Sequence, residues 1–128
     1  MDFFCVYVKT RKKFEKYSKV NRVRGKVVID VKKIITEEDL NPDDKTYLKI
    51  LIFNKIQNAI EKKRTVYYIP DFDNEFSLEK LMNLKKIASN VNFNVLVFYN
   101  DFRKDNNLLD EVLSNLDKFS NSQIIRDY

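Results

Sequence analysis

Four aspartates and one run of cations are the residues of this chain whose types and spacing could do chemistry. Asp71 and Asp73 stand in PDFDNE, residues 70–75, directly after the apolar run TVYYI. Carboxylates two residues apart at a strand end are hard oxygen ligands. They suit magnesium and, through it, phosphoryl transfer or nuclease chemistry. Asp30 in VVIDV and Asp101 after NVLVFYN could join them from other strand ends, and Glu75 and Asp105 add further carboxylates. A simpler reading stands beside this one. Pro, Asp and Asn make good turns, and an acid such as Asp30 is commonly a helix cap or a salt-bridge partner.

The cations lie in KTRKKFEKYSKVNRVRGK, residues 9–26. Lys9, Arg11, Lys12, Lys13, Lys16, Lys19, Arg22, Arg24 and Lys26 are opposed within it only by Glu15. The whole chain carries +5, so residues outside this segment sum to −3. A basic segment on a mildly acidic body points to a localised anionic partner. Phe14 and Tyr17 are interleaved with the cations. Turned outward they could stack on bases; turned inward they would leave a solvated, purely cationic helix face. The partners this segment implies are nucleic acid or a protein of the nucleic-acid machinery with an acidic surface.

Absences narrow the field further. With no histidine, the commonest acid-base group and metal ligand is missing. With Gly25 as the single glycine, glycine-rich phosphate loops, dinucleotide fingerprints and nucleophile elbows are excluded. Cys5 has no cysteine partner and reads as a small buried hydrophobe. No cofactor is implied. No apolar run approaches the roughly 20 residues of a membrane span, and MDFFCVYV lacks the positive start of a secretory signal. The expectation is a cytoplasmic protein with no membrane partner. Abundant Lys, Asn, Ile, Asp and Phe match the coding bias of an AT-rich genome, such as that of a phage or a parasite.

The elements that must position these residues follow from periodicity. FFCVYV (3–8), KVVIDV (26–31), TVYYIPDF (65–72) and NVLVFYN (94–100) are continuous apolar runs and read as strands buried on both faces. SQIIRDY (122–128) supplies a short last strand. Residues 11–19 form a short helix, and Gly25 a turn. The spacing predicts a long helix over 41–63, with Asn41 as cap and Pro42 in the first turn. Leu48, Leu51, Ile52, Ile56, Ala59 and Ile60 form its core face. Further helices are predicted after Ser77 and after Asp105 or Asn106, while IITEEDL (34–40) reads as a loop or a helical turn. Strands alternating with helices predict a single α/β domain over 1–128. It would have three layers, with a four- or five-stranded, mainly parallel sheet flanked by helices.

The stretch from Arg64 to Asn100, with TVYYIPDFD, SLEKLMNLKKIAS and NFNVLVFYN, resembles the middle of a P-loop kinase core. In that family the first strand runs into a glycine-rich loop that cradles phosphates and holds magnesium. Here FFCVYV runs into KTRKKFEKYS, with lysines and hydroxyls but no glycine. The resemblance therefore implies a degenerate relative without nucleotide chemistry, and it transfers no catalytic residue. The haloacid-dehalogenase pattern would need a hydroxyl residue just after DxD, where this chain has Asn74 and Glu75. The reading that follows is a non-enzymatic binding or regulatory protein of phage accessory type, gripping its partner through the basic N-terminal segment. The alternatives are a magnesium-dependent phosphotransferase or nuclease built on Asp71, Asp73, Asp30 and Asp101, and an adaptor for an acidic protein.

Overall fold

The computed structural model describes residues 2–19, 24–41, 45–71, 86, 92–102, 104, 110 and 121–126. Five strands and four helices are defined within them: β1 (Asp2–Tyr7), α1 (Arg11–Ser18), β2 (Lys26–Asp30), α2 (Val31–Glu37), α3 (Lys45–Glu61), β3 (Thr65–Ile69), β4 (Asn92–Phe98), α4 (Tyr99–Phe102) and β5 (Asn121–Ile125). The strands form one sheet in the order β2-β3-β1-β4-β5. Every neighbouring pair is parallel, with Phe3 opposite both Val66 and Phe93, Val27 opposite Val66, and Val97 opposite Ile124. The expected three-layer α/β architecture is therefore the observed one. The predicted helices after Ser77 and after Asp105 fall almost wholly outside the described residues.

Side-chain alternation divides the core in two. Phe3, Cys5, Tyr7, Ile29, Val66, Tyr68, Phe93, Val95 and Val97 face α2 and α3, where Val31, Ile34, Leu48, Ile52, Ile56 and Ala59 meet them. Val6, Val8, Tyr67, Ile69 and Phe98 face the other way and pack on Phe14 of α1. Parallel crossovers are right-handed, so a reversal of direction along the sheet puts the next helix on the opposite face. The step from β1 to β2 runs one way and the step from β2 to β3 runs back. For that reason α1 covers one face while α2 and α3 cover the other.

Local chemistry sets the boundaries. Thr10 caps α1, its Oγ1 accepting from Lys13 N at 3.3 Å. Asp30 ends β2 and caps α2, its Oδ1 accepting from Lys33 N at 3.5 Å. The segment that reads as a strand through Val31 is thus cut one residue earlier by a cap, and the ambiguous stretch after it is helical through Glu37. The helices α2 and α3 both end in a left-handed residue, Asp39 (φ 49°) and Lys63 (φ 54°). Each closes a six-to-one and a five-to-two backbone pair: Leu40 N to Ile35 O and Asp39 N to Thr36 O, then Arg64 N to Ala59 O and Lys63 N to Ile60 O. The core face expected for the long helix is observed, with Leu48, Ile52, Ile56 and Ala59 buried and Leu51 and Ile60 half-buried. Among the described residues no helix is long and apolar enough to cross a membrane.

Candidate anion-binding face

The carboxyl ends of β1, β3 and β4 lie side by side at the point where the connections leave the sheet in opposite directions. In open α/β sheets that is where ligands usually bind. The turn from β1 into α1 brings Lys9, Thr10 and Lys13 there, and the turn after β4 brings Asp101. The Asp101 carboxylate fills the place. Its Oδ2 accepts from Lys9 N at 3.0 Å, and its Oδ1 accepts from Lys13 Nζ at 2.5 Å. The Lys13 and Asp101 side chains are only 26% and 10% exposed. Lys13 Nζ also stands 5.9 Å from the centre of the Phe98 ring, within range of a cation–π contact. An internal carboxylate thus holds the first turn of α1, with its backbone donors and its one inward lysine, against the end of β4.

That bond has a measurable worth. Asp101→Asn keeps an acceptor for Lys9 N but leaves the Lys13 ammonium half-buried without its counter-charge. The expected loss is about 1–3 kcal/mol of folding stability. A double-mutant cycle with Lys13→Met should give a coupling energy of at least about 1 kcal/mol by urea unfolding. A coupling near zero would mean that the pair holds nothing together.

The remaining cations of the basic segment sort by surroundings. Arg11 Nε bonds Glu15 Oε1 at 2.6 Å, an i,i+4 pair on the flank of α1. Lys26 is half-buried on β2, and Arg22 lies outside the described residues. Lys9, Lys12, Lys16, Lys19 and Arg24 have exposed side chains. Of these, Lys12 and Lys16 stand at i and i+4 on the outer surface of α1, and Lys19 follows them as its left-handed cap residue. The aromatics between them turn inward. Phe14 is buried, with its ring 5.3 Å from that of Tyr67. Tyr17 is half-buried, edge-on to Phe98 at 5.3 Å, and its hydroxyl accepts from Gln123 Nε2 at 3.4 Å. Of the two arrangements open from sequence, the structure has the cationic face backed by buried rings.

Of the four candidate aspartates, the three described ones, Asp30, Asp71 and Asp101, form no group able to hold a metal. Asp30 caps α2 and Asp101 holds Lys13 and the Lys9 N–H. Asp71 is buried just beyond β3, at 2% exposure. Strands β3 and β4 lie on either side of β1, and Asp71 and Asp101 follow them, beyond the ends of the paired strands. No group of three His, Cys, Asp or Glu side chains able to hold a metal occurs among the described residues. Asp73, Glu75 and Asp105 lie outside them.

Two groups near this edge carry no sequence signal strong enough to single them out. Arg126, beyond β5, places its guanidinium 4.4 Å from the centre of the Tyr99 ring, and its carbonyl accepts from Asn100 Nδ2 at 2.9 Å. Thr10 was legible only as the hydroxyl that precedes a cationic helix. No protein-family model, curated protein or solved structure matches this chain, so the functional argument rests on the geometry of α1.

Proposed function

We propose that this chain is a non-enzymatic binding protein that grips the phosphate backbone of nucleic acid with the outer face of α1. The observation that carries the proposal is the line Lys12, Lys16 and Lys19, exposed and without an ion pair among the described residues, flanked by exposed Lys9 and Arg24. The line is about 10 Å long, the axial rise of about three nucleotides in a duplex strand. Phe14 is buried and half-buried Tyr17 packs edge-on against Phe98, so the grip draws on charge rather than on base stacking. The contacts are therefore charge–phosphate contacts, steeply salt-dependent and weakly sequence-selective. Lys13, which by sequence belongs to the same grip, is assigned instead to holding α1 in place through Asp101.

The setting we propose is an accessory or regulatory protein of phage type acting on transcription or replication. Size, composition and the concentrated positive charge support it. The kinship to a degenerate P-loop kinase core is likewise a proposal, resting on the sequence pattern between Arg64 and Asn100.

The test is fluorescence anisotropy of labelled single- and double-stranded oligonucleotides across a salt series, comparing the natural chain with Lys12→Glu/Lys16→Glu/Lys19→Glu. If all three lysines touch duplex phosphates, the slope of log K against log salt becomes shallower by about 2.7 in the variant. Its urea midpoint should stay close to that of the natural chain, because all three side chains are exposed. No binding at low salt would overturn the proposal and direct the search to acidic protein surfaces. Binding with an unchanged slope in the variant would place the grip elsewhere on the molecule.

A further inference from the structure

Strand β2 is one edge of the sheet, paired with β3 along all five of its residues. Among the described residues no strand lies on its other side, and no backbone hydrogen bond outside the helices and ladders involves residues 26–30. An open edge is a template for one more strand, and many proteins shorten, bend or cover theirs. Here the ends of the edge are fixed. Gly25, at φ 65°, turns the chain into it, and the Asp30 cap of α2 closes it.

The sequence of this edge is complementary to itself. Its charged residues, Lys26 and Asp30, stand at opposite ends, with Val27, Val28 and Ile29 between them. Neither has an ion pair among the described residues. Laid antiparallel on a second KVVID about a two-fold axis at Val28, Lys26 falls opposite Asp30 of the second copy, and Asp30 opposite its Lys26. Val27 then meets Ile29, and Val28 meets its own counterpart. Directly opposed residues share a face of the sheet, so their side chains touch. Five opposed pairs supply roughly four to six backbone hydrogen bonds. Either neighbouring two-fold register shortens the ladder and separates both charge pairs.

We propose that β2 pairs antiparallel with β2 of a second copy, giving a symmetric dimer with one continuous sheet. Charge complementarity selects this occupant. A strand of another protein would have to carry an acid and a base at this spacing, whereas a second copy supplies both by symmetry. The other edge strand, β5 (NSQII), has no charged residue and offers no such match. Pairing also covers Val27 and Val28, which are only half-buried in the single chain. The contact is small beside the roughly 800 Å² per partner of a stable interface, so the dimer is reversible, with a Kd on the order of 10–100 µM. Its two-fold axis stands perpendicular to the sheet, which puts α1 of both copies on one side. The dimer does not depend on the nucleic-acid proposal; where both hold, two sets of lysines face the same way.

Sedimentation equilibrium of the full chain from about 5 to 500 µM is the test, with a monomer–dimer equilibrium expected. Lys26→Glu sets like charges at both ends of the ladder and should weaken the dimer at least about tenfold. It leaves the cap of α2 intact, and circular dichroism checks that the variant is folded. Asp30→Lys should weaken the dimer similarly. Mixed in equal amounts, the two variants regain both opposite-charge pairs, and a heterodimer should form. Register is read from cysteines. Val28→Cys puts two thiols directly across the axis, with Cα atoms about 4.5–5.5 Å apart, within reach of a disulfide. Val27→Cys sets them two residues out of register. Mild oxidation should cross-link the first variant at least about tenfold faster than the second, while buried Cys5 stays unreactive.

A chain that stays monomeric to about 500 µM overturns the proposal and leaves this edge to a strand of another protein or to water. Dimerisation that Lys26→Glu does not weaken places the contact on another surface and overturns it as well. Equal cross-linking of the two cysteine variants overturns the pairing at Val28, and the charge match with it. If Asp30→Lys does not fold, Lys26→Glu and the cysteine pair decide.

Discussion

Phe14→Ala should cost about 3–5 kcal/mol of folding stability, the usual range for removing a buried phenyl ring. The ring is fully buried among Val6, Val8, Tyr67, Ile69, Phe98 and Ile125, and it is the one buried residue that α1 contributes to this core. An eight-residue helix has little stability of its own, so it holds its place by what it packs against. Loss of the ring therefore removes the main anchor of the helix and the lysine line with it. Domains of this size are typically stable by about 5–15 kcal/mol, so the alanine variant lies near the limit of folding. Phe14→Leu keeps most of the volume and should cost less than about 1.5 kcal/mol. Urea unfolding of both variants measures the difference. If Phe14→Ala costs less than about 1 kcal/mol, the ring is not the anchor, and outward stacking of Phe14 becomes available again. For the leucine variant, the salt slope of oligonucleotide binding should match that of the natural chain, since no ring at this position touches the ligand.

The second large effect is alkaline. Burial pushes the Cys5 thiol from its ordinary 9.0 up to about 12, against a smaller opposing hydrogen bond with Tyr7. Burial also raises the Tyr67 hydroxyl above its ordinary 10.0, with the charge of Asp2 adding in the same direction. Both groups are neutral when protonated, and the fold favours that form. Below pH 9 the unfolded chain keeps the Cys5 proton too, and the contribution is fully present. Above pH 9 the unfolded thiol ionises while the folded one does not, so the unfolded state binds fewer protons and stability falls. The expected slope from Cys5 is roughly 1 kcal/mol per pH unit through the window from 9 to about 12. Tyr67 steepens the fall above pH 10. Urea unfolding at successive pH values should show a shallower decline in Cys5→Ala between pH 9 and 10, where Tyr67 contributes less than the thiol. Equal slopes in that interval would mean that the thiol is not the source. The same burial should keep Cys5 unreactive toward a thiol reagent at pH 8 until the chain unfolds.

The sequence was most readable where burial is two-sided. FFCVYV, TVYYI and NVLVF announce strands because both faces of an inner parallel strand need apolar side chains, whereas KVVID runs along the sheet edge and fully buries only Ile29. The core face of α3 was equally plain from the spacing of Leu48, Ile52, Ile56 and Ala59. Asp30 was ambiguous because its neighbours Ile29 and Val31 are β-branched and continue an apolar run, although the acid ends the strand and caps α2. Strand order could not be read, because parallel strands of equal hydrophobicity carry no local mark of their neighbours. Nor could the fate of Asp101. Its partner Lys13 is 88 residues away, and only the adjacency of β1 and β4 brings them together.

The position of β1 in the middle of the sheet governs the timing of assembly. Phe3 pairs with Val66 and with Phe93, so the two partners of the first strand are made 63 and 90 residues later. At roughly 5–20 residues per second the second partner emerges on the order of 5–20 s after the first strand. Until the first partner is made both edges of FFCVYV are unpaired, and one edge stays so until the second; an aromatic, β-branched segment in that state is the kind from which aggregates start. The cations from Lys9 to Lys19 follow it directly, as charged flanking residues do beside hydrophobic strands that cannot be avoided. Charge-reversing substitutions in that segment would therefore be felt by the nascent chain, as a lower yield of folded protein, before any partner is met.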